Sequence, residues 1–299
     1  MPWVLSSDEQ ARLDTHKRNS KAYYDVGDYR RAEDQCRRGL EIDEDATLRL
    51  TLGLSLLMQA EPAKLEEAAA LFREEIGAFG SRDWRLRMGY GMTLQQLARL
   101  RGADPDPARS AEAPELRRRA RVELEAAAQA REVPAEVPYH LAILDLEEER
   151  PDLFRPHAER ALAKLQERDR FLSVQLRQPM GQKEFERTTQ DRRVNSERGR
   201  RIARESARAA WRADDWKGAS AAMDQLETFG ALDRSDYYDR ARIRERTGDT
   251  EGAVKDLERF VVLSGDRVDT LVVQSIESLN RLRAELAERR TATQLSSGR

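Results

Sequence analysis

Cysteine, histidine and aromatic residues are all scarce in this 299-residue chain, and each shortage removes a class of function. Cys36 is alone, so no internal disulfide can form. It lies on the inward face of a helical stretch and reads as a small apolar group, in keeping with a reducing compartment. His16, His140 and His157 stand at no ligand spacing from one another or from Cys36, which argues against a zinc site or a nucleophile–base pair. With 6% aromatics, a large enzyme core is short of material. The most apolar stretch, residues 48–58, is too short for a membrane span and is broken by Arg49 and Thr51.

Other absences narrow the field further. A net charge of −2 excludes a globally acidic or basic polyelectrolyte, so any electrostatic argument has to be local. Gly77-Ala78-Phe79-Gly80 is followed by no Lys-Ser or Lys-Thr pair and reads as a helix-ending loop instead of a phosphate cradle. Glu66-Glu67 and Glu147-Glu148-Glu149 are solvated helix faces in a chain with 36% charged residues. The first seven residues lack the basic and apolar regions of a signal peptide. The expectation is a cytoplasmic protein, or a periplasmic one if a signal segment is missing from this chain. No cofactor, metal or catalytic residue is expected.

What is present is a pattern that recurs. Gly27-Asp28-Tyr29 is followed by Ala32, Asp214-Asp215-Trp216 by Ala219, and Gly248-Asp249-Thr250 by Ala253, in one register and each leading into a helical run. After the first turn, Ala32, Cys36 and Leu40 recur at four-residue steps, which places them on one helical face. The unit is a helix, a tight turn and a second helix. Ala is needed where the two axes cross most closely, so Ala32, Ala219 and Ala253 are expected to be buried there.

On these residues the chain resembles the tetratricopeptide repeat family, whose unit is about 34 residues of helix-turn-helix. Ala207, Ala210, Trp216, Ala219, Met223 and Leu226 fall on the family's packing positions, as do Tyr237, Ala241, Ala253, Leu257 and Phe260. The first unit matches through Tyr29, Ala32 and Cys36 and is more polar in its first half, as a terminal repeat should be. Gly53 with Leu65, Ala68 and Phe72 reads as a second unit, Gly89 with Ala120 and Leu124 as a third, and Ala142 with Ala158, Leu162 and Leu165 as a fourth. The third requires residues 102–115 to be an inserted loop.

The resulting fold class is all-α: an α-solenoid of about six such units with a C-terminal capping helix. Residues 1–178 hold four units, 179–199 form an Arg-rich linker or a short packed helix, 200–266 hold two units, 267–290 the cap, and 291–299 a disordered tail. The resemblance implies a protein-interaction adaptor or assembly scaffold that takes a partner segment in a concave groove lined by the first helix of each unit. Its expected lining is apolar at Leu50, Leu54, Leu57, Leu86, Tyr90, Tyr139 and Ile143. It turns basic at Arg201, Arg204, Arg208, Trp211, Arg212, Tyr238, Arg242 and Arg246. The partner is therefore expected to be another protein with an apolar portion and an acidic end. One variant of the family grips a terminal carboxylate with Lys and Asn; Lys17 matches, but Lys21 and Thr51 stand where Asn is needed, so that clamp is not supported. The alternatives are Arg-mediated nucleic-acid or regulatory binding, which sparse aromatic interleaving disfavours, and an envelope-associated lipoprotein without its anchor.

Overall fold

A computed structural model describes residues 5–79, 83–267 and 269–297. The described residues contain helices and turns but no strand, in the α-solenoid class. In chain order the helices pair as hairpins. The first hairpin is α1 (Ser7–Asp25) with α2 (Tyr29–Leu40), and the second is α3 (Ala46–Gln59) with α4 (Pro62–Phe79). In the third, α5 (Trp84–Gly102) is separated from α7 (Ala113–Ala127) by the short α6 (Pro107–Ser110). Next come α8 (Glu136–Glu147) with α9 (Pro151–Gln175), and α10 (Gln182–Arg212) with α11 (Trp216–Thr228). The last hairpin, α12 (Arg234–Thr247) and α13 (Thr250–Ser264), precedes the long α14 (Thr270–Ser297). The chain divides into two compact units, Met1–Ala161 with Gln178–Gln190 and Leu162–Arg177 with Asp191–Arg299.

The recurrent turn has one physical construction. Gly27, Asp214 and Gly248 take the left-handed conformation at φ 79°, 56° and 81°. Glycine meets this without steric cost and aspartate at modest cost. The following aspartates, Asp28, Asp215 and Asp249, share nearly one backbone conformation, with φ from −84° to −79° and ψ from 69° to 74°. Each backbone N–H donates five residues back, to Tyr23, Ala210 and Arg244, at 2.9 Å. Each carboxylate accepts from the N–H three residues on, at Arg31, Gly218 and Gly252. One aspartate thus closes the first helix and caps the second. The α8–α9 turn closes the same way without glycine: Glu149 sits at φ 54° and Arg150 N–H donates to Asp145 at 2.8 Å.

Asp215 and Asp249 lie 34 positions apart. The same step carries Ala207, Ala219, Met223 and Leu226 onto Ala241, Ala253, Leu257 and Phe260, and all eight are buried. Ala32, Ala219 and Ala253 are fully buried, as the spacing predicts.

In the first unit, packing centres on Phe72. A Cβ added at Gly53 on α3 would lie 2.7 Å from its ring, and one at Gly89 on α5 would lie 2.6 Å away. The ring therefore fills the space of two absent side chains. Gly89 thus serves the second hairpin's aromatic, while Gly91 makes room for Leu124 in its own. In the second unit Gly199 is matched to Phe229, where a Cβ would come within 2.5 Å. Leu279 and Leu282 of α14 join Ala241, Ala253, Val254 and Leu257 in a buried cluster, which gives α14 the capping role expected of it.

Three expectations change. Residues 182–199 are helical, not a linker. Thr188, Asn195 and Gly199 are buried on one side of α10, and Asn195 Nδ2 donates to the Leu165 carbonyl at 2.8 Å. Small and polar residues carry that face, so no apolar period announced it. The insertion expected over 102–115 is shorter, because α5 runs to Gly102, α7 starts at Ala113, and α6 forms behind an Asp106 cap and Pro107. Past residue 290, α14 continues to Ser297 where a disordered tail was expected; residues 298 and 299 lie outside the described residues.

Two tests follow from the packing and the charges. Gly89→Ala should lower unfolding free energy by about 1–3 kcal/mol, because Phe72 cannot yield without leaving its rotamer. Adding Phe72→Leu should recover part of that loss in a denaturant double-mutant cycle, and strict additivity would refute the ring-in-gap account. The second test uses Glu33, which accepts from Lys64 at 2.7 Å, Gln59 at 2.8 Å and Arg37 at 2.9 Å. Burial pushes its carboxyl up, but these hydrogen bonds outweigh it and hold the pKa down at about 2, from an ordinary 4.5. The stability it contributes is present above the unfolded value and is lost as pH falls from 4.5 through 2. Buried Glu75 works in the opposite sense, since burial raises its carboxyl despite Arg49 at 2.8 Å. Acid titration of Glu33→Gln should therefore lose less stability over that window than the parent does.

Candidate interaction surface

The apolar residues expected to line a groove in the first unit are core residues. Leu57, Leu86, Tyr90, Tyr139 and Ile143 are buried, and Leu50 and Leu54 are half-buried against the main cluster. Leu57 packs with Leu65 and Leu97, with Leu116 of α7 beside them. The Tyr90 hydroxyl accepts from Arg119, also on α7. A helix apolar on two sides reads the same in sequence whether its second side is open or covered by the next hairpin; here it is covered. Lys17 pairs with Asp45 at 2.6 Å. His157 is turned into the protein, with Nδ1 2.6 Å from the buried Asp145, whose other oxygen lies 2.7 Å from Arg121. That arrangement ties α7, α8 and α9 together.

Of the basic residues expected to line the groove in the second unit, Arg204 is committed to a buried carboxylate. Arg204 grips buried Asp236 with two nitrogens, Nε to Oδ1 at 2.6 Å and Nη2 to Oδ2 at 2.8 Å, and also donates to Asp233. Arg200 joins at 3.0 Å to Asp236. Asp233 and Asp236 also form the capping box of α12, so these pairs fix the start of α12 against α10. The hydrogen bond to Asp236 raises the Arg204 pKa still further, so its charge is permanent. Arg204 is structural, and sequence reasoning misassigned it because a paired and a free arginine look alike in sequence.

The remaining residues form a face on α10 and α12. Arg201, Arg208, Arg212 and Arg246 are exposed, and Arg242 is half-buried. Arg208 is held by Glu205 at 2.8 Å. Burial raises the half-buried Asp239 carboxyl, and the nearby Arg208 charge opposes the rise. Trp211 meets Trp216 with ring centroids 5.4 Å apart, and the Arg246 guanidinium lies 5.5 Å from the Trp216 centroid. Tyr238 is half-buried with its ring 5.3 Å from Phe260, turned to the core and away from a ligand. A depression of about 360 Å³ runs along α10, lined by Glu197, Arg200, Arg201, Arg204, Glu205 and Arg208.

This face obeys the 34-residue step of the core. Arg208 and Arg212 on α10 map onto Arg242 and Arg246 on α12, and Glu205 maps onto Asp239. A helix-turn-helix unit of 34 residues with its small residues at the crossings and a capped turn is the decisive feature. The fold is that of the tetratricopeptide repeat. Among solved structures, the chain is similar to pilF of Pseudomonas aeruginosa at 15% identity and TM-score 0.55, over 93% of this chain and 100% of that one. A tetratricopeptide repeat protein from Parabacteroides merdae ATCC 43184 is more distant, at 13% identity and TM-score 0.36 over 91% of this chain and 99% of that one. The likeness to pilF is one of fold. No family model matches the sequence, and no curated protein matches it. No helix among the described residues is long and apolar enough to cross a membrane.

The two classes of arginine separate in a stability measurement. Arg204→Glu should cost about 3–5 kcal/mol, because it leaves the buried Asp236 carboxylate beside a second negative charge. Arg212→Glu, on an exposed position, should change unfolding free energy by about 0.5 kcal/mol or less. Equal costs in chemical denaturation would show that Arg204 is not the anchor of α12.

Proposed function

We propose that this protein is a protein-interaction scaffold and that it engages a partner through the α10–α12 face of its second unit. The observation that carries this reading is the set of arginines at repeat-equivalent positions, Arg208, Arg212 and Arg246 exposed and Arg242 half-buried, beside the Trp211–Trp216 pair. Arginine and tryptophan are the residue types that concentrate binding energy at interfaces, and here they lie on capped helices that need no ordering on binding. The acidic end of the partner expected from the sequence fits this face. Its apolar portion has no open counterpart in the first unit, where the corresponding residues are buried.

Hydrogen–deuterium exchange on a complex with a partner captured from the source cell tests the reading. Slowed exchange confined to α10 and α12 is the expected result. A bound partner that protects other helices and leaves these two unchanged would move the interaction surface elsewhere.

A further inference from the structure

The repeat step gives the basic face a regular lattice. Within a helix, Arg208 and Arg212 are one turn apart, as are Arg242 and Arg246, about 6 Å between neighbouring Cβ atoms. The two helices are tied side by side by the Arg200 and Arg204 pairs to Asp236, and packed helices lie about 8–10 Å apart. The repeat step therefore places two of the four arginines on each helix at equivalent positions. Two of them are uncommitted: Arg212 and Arg242 have no ion-pair or hydrogen-bond partner among the described residues. Arg208 is half satisfied by half-buried Glu205 from its own helix, and its own exposed guanidinium leaves room for a second carboxylate.

We propose that Arg208, Arg212, Arg242 and Arg246 form one binding site for an extended, carboxylate-rich protein segment. This deepens the scaffold reading and rests on it. A strand-like peptide advances about 3.3 Å per residue and turns alternate side chains to one face, so carboxylates two residues apart match the spacing of two arginines along one helix. Each guanidinium can take a carboxylate with two parallel hydrogen bonds, a geometry lysine could not supply. The same repeat step explains why a nucleic acid fits less well. Glu205 and Asp239 recur on this face with the arginines, so a sugar-phosphate chain charged at every residue would meet acids at the same period. A peptide can place its carboxylates opposite the arginines and leave neutral residues opposite the acids. The Trp211–Trp216 pair beside Arg246 gives the neutral side chains an aromatic surface to rest on.

The test uses the full chain and three labelled probes: a peptide of alternating Glu and Ala, its Gln-for-Glu counterpart, and a single-stranded oligodeoxynucleotide of equal formal charge. Fluorescence anisotropy at low salt should show binding of the Glu peptide and none of the Gln peptide. Arg212→Gln with Arg242→Gln should weaken the Glu peptide about tenfold or more and flatten its salt dependence. The melting temperature should stay at the parent value, because neither side chain has an internal partner. If the double variant melts lower, Arg212→Gln alone, on an exposed position, carries the same comparison. No binding of the Glu peptide, unchanged affinity in the folded variant, or tighter binding of the oligodeoxynucleotide would each overturn the proposal. A partner that still protects α10 and α12 in the folded double variant would leave the scaffold reading standing and remove the arginine lattice alone.

Discussion

Close approach of helix axes is the constraint on which the rest of this molecule depends. Two helices can come together only where a side chain is missing, and the space left is then filled by one large group. Phe72 does this between Gly53 and Gly89, and Phe229 does it against Gly199. The fully buried Ala32, Ala219 and Ala253 show the same requirement at other crossings. A thin core with few aromatics can be well packed on these terms, because Phe72 and Phe229 are buried where they fill the space the glycines leave.

Such packing works only if the helices enter at fixed angles, and the capped turn supplies that. In three hairpins one aspartate accepts the N–H of the third residue of the second helix while its own N–H closes the first. Nearly identical backbone angles at Asp28, Asp215 and Asp249 follow from this double duty. The 34-residue step is thus set jointly by the turn and by the crossing. Surface residues inherit it, which is how Arg208 and Arg212 come to be repeated by Arg242 and Arg246.

The features legible in the sequence were those with a local physical cause. The turns could be read because Gly-Asp before a helix has one inexpensive conformation, and the crossings because Ala recurs at a fixed distance from the turn. Three features could not be read so directly. The start of α10 is buried through Thr188, Asn195 and Gly199, which carry no hydrophobic signal. Leu86, Tyr90 and Ile143 looked like groove residues because apolarity reports burial without saying what does the burying. Arg204 looked like Arg208 because its partners, Asp233 and Asp236, are 29 and 32 residues away. Long-range pairing of charges is the information that a helical wheel omits.

That last distinction decides what the basic face can do. An arginine already paired with a buried carboxylate has no charge to offer a ligand, because a ligand would have to compensate the stranded acid as well as bind. Arg204 is of this kind, and so is Arg240, which holds buried Asp256 through Nε at 2.9 Å and Nη2 at 2.7 Å. Both fix α12, one at its start against α10 and the other at its middle against α13. Arg212 and Arg242 stand on the helices so fixed and have their guanidinium groups uncommitted. Rigid placement of a free charge by a neighbouring spent one lowers the ordering cost of binding, so on the proposed reading the buried pairs would contribute to recognition without touching a ligand.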